Sequence, residues 1–234
     1  MDYREFTVVL PTLNEEKTIG VLIRRLLREY KGISVFVADD GSKDRTRGVV
    51  TAISKRNGKV RFVDRSRAGL EKGLSASAID GILGSKTRFA IVMDADLQHP
   101  PEVVGRLARK LSQGCKISVA VRAEVEGWEL HRKLISKALI TVGYAMLMAT
   151  GKSRCSDIFS GFFGVERELF EQTYRKNRRR FVGGGYKILY DLLKCIANGR
   201  VAVGEVPYSF GVREYGKSKA GLRQGLYLFK SFLT

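Results

Sequence analysis

Two aspartates separated by one residue, Asp94 and Asp96, stand where an apolar run (residues 89–93) gives way to the polar stretch DADLQHPP (94–101). Carboxylates this close repel each other unless a cation lies between them, so the pair suggests Mg2+ or Mn2+ carrying a substrate phosphate. Strand alternation predicts that both side chains share one side, with Ala95 turned away. Gln98 adds a neutral oxygen nearby. The plain alternative is a pair of solvated loop aspartates, with His99 and the two prolines simply starting a helix.

These residues need a sheet to hold them, and in an open α/β sheet ligands sit beyond the carboxyl ends of the strands. Residues 6–10 read as a short strand ended by Pro11, and Asn14 is placed to cap a helix over residues 15–30. Residues 33–38 read as a second strand, followed by Asp39, Asp40 and a turn at Gly41, with Asp44 opening another helix. A third strand over 60–63 leads through a glycine-bearing loop into a helix of small residues suited to close packing. After the strand at 89–93 comes a helix over 101–113. The alternation predicts a mostly parallel sheet flanked by helices.

Further on, residues 117–121 read as a strand ending at Arg122, and 134–149 as an apolar helix. Ser160 and Gly161 precede a short strand and helix; RKNRRR (175–180) is a basic cluster, followed by Gly183 to Gly185. Residues 186–197 read as a helix, 201–210 as the last strand, 213–219 as a charged loop and 221–233 as an amphipathic helix.

The chain of 234 residues, 44% hydrophobic, is long enough for one α/β domain with a sizeable core. The expected division is a catalytic domain over 1–210, then a basic loop and C-terminal amphipathic helix over 211–234. Three scattered cysteines argue for a reducing compartment and against a disulfide frame or zinc site, and two histidines exclude a multi-histidine metal centre. A net charge of +18 favours an anionic partner: nucleic acid, an acidic membrane surface or phosphorylated substrates. No apolar run reaches the roughly 20 residues that span a bilayer; the nearest, 134–149, is interrupted by Lys137. No signal peptide is expected ahead of the first strand. The last helix has no stop signal, which predicts a continuation into a membrane segment, natively or in relatives.

PTLNEE, VADDGSKDRT, MDADLQHPPE, SDIFSGFFGV and FGVREYGKSK, in this order, resemble family 2 glycosyltransferases. With RKLISK (132–137) they more narrowly resemble the dolichol-phosphate mannose synthases and related polyprenyl-phosphate glycosyltransferases. The resemblance implies a GT-A type Rossmann-like domain, a nucleotide-diphospho-sugar donor, a divalent metal (Mn2+ or Mg2+) and a lipid phosphate acceptor. It places Pro11, Leu13 and Glu15 beside the nucleoside, and Ala38 and Asp40 at the base edge. Asp94, Ala95, Asp96 and Gln98 fall at the metal and diphosphate. Arg122, Arg132, Arg213 and Lys219 match basic positions around the donor diphosphate and acceptor phosphate. Several phosphate charges need more than one divalent ion to balance them. Glu15 also suits a first-turn helix acid, and Asp39 suits a loop anchor.

The reaction this implies is inverting transfer of mannose from GDP-mannose to dolichyl or polyprenyl phosphate, with Asp96 and the four basic residues in catalytic roles. A phosphate monoester, with a second pKa near about 6, is already largely dianionic and needs positioning rather than a base. Asp157 is therefore read as structural, or as an orienter of Arg or Lys, ahead of a role as base. The expected location is the cytoplasmic side of a membrane, peripheral or anchored through a region or subunit absent from this chain. The 134–149 helix, the last helix and RKNRRR are the candidate membrane contacts. Rival readings are a UDP-glucose or other nucleotide-sugar donor, and a basic nucleic-acid-binding domain. The latter lacks an aromatic RNA-binding or recognition-helix pattern, so no nucleic acid is expected.

Overall fold

The computed structural model describes residues 1–66, 71–125, 130–185, 187–197 and 201–210, with the side chains of 124–137 and 210 set aside. Its strands are β1 (Phe6–Thr12), β2 (Ser34–Asp39), β3 (Val60–Asp64), β4 (Phe89–Val92), β5 (Ile117–Val125), β6 (Phe163–Glu166) and β7 (Val203–Phe210). They form one sheet in the order β3-β2-β1-β4-β6-β5-β7. All neighbours are parallel except β6, which runs antiparallel to both β4 and β5. The mostly parallel sheet expected from the alternation is present; the reversed strand in its middle was not foreseen.

The helices are α1 (Ile19–Glu29), α2 (Thr46–Arg56), α3 (Leu74–Gly84), α4 (Glu102–Ser112), α5 (Leu130–Ala149), α6 (Arg167–Asn177) and α7 (Ile188–Cys195). Alternation along β1 divides the core into two layers. Val8 and Leu10 pack with Leu22, Ile23 and Leu26 of α1 and Val104 and Leu107 of α4. Val9 faces the other way, against Ile79 and Ile82 of α3, Phe170 of α6 and Leu189 of α7. Each such buried aliphatic side chain contributes about 1.5–3 kcal/mol. Small residues let α3 approach closely: a Cβ on Gly81 would collide with the Val9 side chain.

Three local expectations are corrected. Pro11 does not end β1, which runs to Thr12. Thr12 turns its carbonyl to the β2 side and Val9 turns its own to Met93, so Pro11 faces the β4 side beyond the end of β4. Its missing N–H therefore costs no ladder bond there. Asn14 is not a helix cap: α1 begins at Ile19, and Asn14, at φ 55°, turns towards the loop after β2. There its N–H donates to Ser42 Oγ at 2.7 Å and its Oδ1 accepts from the Lys43 N–H at 2.8 Å. Finally, β5 continues past Arg122 to Val125, with an irregularity against β7 between Arg122 and Glu124.

Candidate active site

Strands β2 and β3 lie on one side of β1, and β4 lies on the other. The carboxyl ends of β1 and β4 therefore open a crevice where the strand order reverses. Pro11, Val92 and Asp94 form its sheet side, and Leu74 and Ser75 of α3 face them. Gly161, beside Asp94, and Ile188 complete the lining.

Because β4 stops at Val92, Asp94 and Asp96 lie just beyond the strand, and Ala95 continues the face of Phe89, Ile91 and Met93, turned away from the crevice that Asp94 lines. Ala95 is buried in the layer of α1 and α4, as its apolar side chain requires. Asp96 is only 3% exposed. Its Oδ1 accepts the Gln98 N–H at 3.1 Å across a turn in which Leu97 has φ 67°. Asp94 is half-buried at the crevice. Its N–H donates to His99 Nδ1 at 2.9 Å, and its Oδ2 lies 3.7 Å from His99 Nε2. His99 stacks on Phe162 at 4.8 Å, and burial pushes its pKa down to about 4, so at neutral pH it is an uncharged acceptor. His99 thus orients the bend instead of merely starting a helix.

Arg122 projects from β5 towards Asp157. Nε donates to Oδ2 at 2.7 Å and Nη2 to Oδ1 at 3.0 Å. Burial opposes the charge, but the Asp157 hydrogen bonds hold the guanidinium pKa above its ordinary value. The Asp157 carboxylate is only 5% exposed. The expectation of Asp157 as an orienter of a basic residue matches this geometry. Tyr208 of β7 packs edge-on to Phe162 and His99, and burial raises its phenol pKa, so it is uncharged at neutral pH.

At the end of β2 the two adjacent aspartates diverge. Asp39 accepts from the Gly41 and Ser42 N–H groups and from Ser42 Oγ, securing the loop as expected. Asp40 accepts from Arg65 and from the Gly73 N–H. Burial raises the Asp40 pKa, opposed by that Gly73 bond and by the Arg65 charge. Ala38 is buried in mid-sheet between Pro11 and Val63. Leu13 and Glu15 are half-buried after β1; the Glu15 N–H donates to Thr46 Oγ1 at 2.8 Å, and its Oε2 lies 3.3 Å from Thr18 Oγ1.

Gly183 and Gly185 fold over the start of α3: their carbonyls accept from the Ala76 and Ser75 N–H groups, and Gly185 also accepts from Ser75 Oγ. Next to them Lys187 is buried, 6.0 Å from the Phe159 ring, and desolvation lowers its pKa to about 8. Sequence reading did not single out Arg65 or Lys187, or assign the three glycines a role. Their one signal was a charged or glycine residue beside an apolar run. The Arg132 backbone lies in α5, while its side chain, with Arg213, Lys219 and the predicted last helix, falls outside the described residues.

Among the described residues no three His, Cys, Asp or Glu side chains gather as a cation cage. Mg2+ is commonly held by one or two carboxylates completed by substrate phosphates and water, so a pair such as Asp94 and Asp96 fits a divalent ion that arrives with a diphosphate. In chemical terms Asp94 lines the crevice, with the buried Asp96 carboxylate and the neutral His99 imidazole in the same turn.

A mostly parallel sheet flanked by helices, with a carboxylate pair beyond the strand at its switch point, fits a GT-A type α/β fold. The match of residues 7–174 to the family described as Glycosyl transferase family 2 places the chain in that family of glycosyltransferases. The chain is 36% identical over 220 residues to a dolichol-phosphate mannosyltransferase of Pyrococcus furiosus, covering 91% of this chain and 58% of that protein. It thus spans little more than half of that relative's length. It is 33% identical over 228 residues to the dolichol-phosphate mannosyltransferase of Saccharomyces cerevisiae, covering 92% of this chain and 80% of that one. In fold it is similar to the glucosyl-3-phosphoglycerate synthase of Mycobacterium tuberculosis, solved with Mn2+, UDP-glucose and glycerol 3-phosphate. There the TM-score is 0.66 at 21% identity, over 98% of this chain and 78% of that one. A crystal structure described only as a mycobacterial protein gives a TM-score of 0.70 at 22% identity, over 98% of this chain and 72% of that one.

Proposed function

We propose that this glycosyltransferase moves mannose from GDP-mannose to the phosphate of a dolichyl or other polyprenyl phosphate, inverting the anomeric centre. The observation that carries the reading is the held guanidinium of Arg122, bonded twice to Asp157. A lipid phosphate already carries the charge of a nucleophile, so the acceptor side needs fixed cations more than a base. Asp157 spends both oxygens on Arg122 and acts as its orienter. Arg132, Arg213 and Lys219 complete the acceptor site.

Asp94 and Asp96, with Gln98, hold Mn2+ or Mg2+ together with the donor diphosphate. Such an ion, when bound, offsets the charge that develops on the leaving GDP. Pro11, Leu13 and Glu15 flank the nucleoside, Asp40 accepts from the N–H groups of the base, and Ala38 supports it from the sheet. Ala95 contributes through its backbone. Catalysis then rests on Asp96 and the four basic residues.

No helix among the described residues is long and apolar enough to cross a membrane. The chain meets the cytoplasmic membrane surface peripherally, or through a segment or subunit outside this chain. Val142, Met146 and Met148 of α5 are exposed, as are Arg178, Arg179 and Arg180 after α6. Basic residues beside an anionic surface contribute about 1 kcal/mol each. Flotation with anionic vesicles at low and high salt tests this, and no flotation at either salt would remove peripheral attachment by this chain.

The deciding experiment is incubation with radiolabelled GDP-mannose, dolichyl phosphate and Mn2+, followed by lipid extraction. Label in the lipid phase is expected. Transfer from UDP-glucose and none from GDP-mannose would overturn the donor assignment, and no transfer from any nucleotide sugar would overturn the reaction.

A further inference from the structure

Arg65, directly after β3, is the largest fully buried side chain of the described protein, 1% exposed. A guanidinium has five N–H donors, and four of Arg65's are committed inward. Nε donates to Asp80 Oδ2 at 2.8 Å. Nη1 donates to Asp40 Oδ1 at 2.5 Å and to Ser77 Oγ at 2.8 Å. Nη2 donates to the Glu71 carbonyl. The other Asp40 oxygen accepts the Gly73 N–H at 2.9 Å.

These bonds join three stretches of chain: the end of β2, the segment leading into α3, and α3 itself. The first turn of α3 lines the same crevice as Asp94. Arg65 is too enclosed to touch a ligand, whereas the Asp40 side chain keeps 14% of its surface exposed.

We infer that Arg65 is a positioning residue for nucleotide recognition, holding the Asp40 carboxylate in fixed register with the crevice wall formed by α3. This rests on the proposed role of Asp40 at the nucleotide base. Stability alone does not call for such a group, because buried ion clusters are often matched or bettered by apolar residues of similar volume. Recognition does: a base edge that presents N–H groups needs an ionised, oriented acceptor. Burial favours the protonated form of Asp40, and the Arg65 charge opposes it. Without Arg65, Asp40 would be both looser and more readily protonated.

The test uses R65M, R65K, D80N and D40A in the full chain. Affinities for GDP and UDP are measured by calorimetry, and kcat and KM for the accepted nucleotide sugar are measured at neutral and mildly acidic pH. R65M should raise KM about tenfold or more, with kcat within about threefold, narrow the GDP–UDP preference, and lose more ground at acidic pH. R65K, which keeps the charge without the fork, should recover part of the KM. D80N, which leaves Arg65 on Asp40, should give a smaller KM rise than R65M. If R65M does not fold, the ordering of wild type, D80N and R65K in KM and nucleotide preference decides, and wild-type values in both variants overturn the inference. A raised KM in D40A with wild-type KM and selectivity in R65M also overturns it, while leaving Asp40 as a base reader. Wild-type nucleotide affinity in D40A removes the role of Asp40 and the inference with it.

Discussion

Arg122 and Asp157, 35 residues apart in sequence, meet in a two-point ion pair of 2.7 and 3.0 Å, with the carboxylate almost wholly buried. The pair bridges β5 and the segment before β6, so the antiparallel insertion of β6 between β4 and β5 is what brings the two residues together. A half-buried guanidinium held at two points is fixed in direction as well as charge.

That relationship predicts coupling. R122K keeps the charge but loses the fork and should lower kcat/KM about tenfold to a hundredfold. D157A should cost about as much, because it leaves a half-buried cation without its orienter. The double variant should fall well short of the sum, since each change breaks the same contact. Steady-state kinetics on the four proteins measure this, and strict additivity would sever the link.

Asp96 offers a second test. Its Oδ1 accepts the Gln98 N–H, and D96A removes the carboxylate from that turn without adding bulk. Turnover should drop by about a thousandfold or more, with the thermal midpoint changed by only a few degrees (roughly 1–2 kcal/mol). Activity titrated with Mn2+ and Mg2+ checks it; a near-normal rate would refute the metal assignment.

Gly73 lies at φ 133°, and a Cβ there would overlap the Gly183 carbonyl oxygen. G73A therefore combines backbone strain with a lost approach between α3 and the glycine segment. It should destabilise the protein by about 2 kcal/mol or more, read as a lower urea midpoint. An unchanged midpoint would mean that the segment does not sit on α3 in solution.

Lys187 gives a pH signature. Desolvation lowers its pKa from 10.5 to about 8. Between those values the unfolded chain keeps a proton that the folded chain has released. This residue's contribution therefore rises with pH through that window and is flat and least favourable below it. K187M should erase that rise and stabilise the protein at neutral pH by on the order of 2 kcal/mol. Asp191 keeps its bonds to Lys194 and to the Val182 N–H in the variant. Urea denaturation of both proteins at neutral pH and near about pH 10 tests the sign; equal slopes with pH would contradict it.

Much of the site's address was legible in the residue order. Apolar runs of strand length, each followed by helical spacing, marked β1 to β4 and their helices, because burial on both faces of a parallel sheet leaves near-continuous hydrophobic strands. The same pattern put Asp94 and Asp96 past a strand end. It could not show that β4 stops at Val92, leaving the two aspartates wholly beyond the strand. Pro11 and Asn14 misled for a similar reason: each signals an ending or a cap by local preference, and each is reassigned by a neighbour across the sheet.

By itself, then, the sequence determined the kind of sheet, the placing of the carboxylate pair and the family resemblance, all of which depend on residues near one another in the chain. Tertiary structure alone decided that β6 runs backwards between β4 and β5, that Asp157 meets Arg122, that His99 holds the Asp94 N–H, and that Arg65 gathers Asp40 and Asp80. Those contacts join stretches that periodicity cannot relate. They form only when the burial of both faces fixes which strands are neighbours, and a buried polar group must then find whatever partner that arrangement brings within reach.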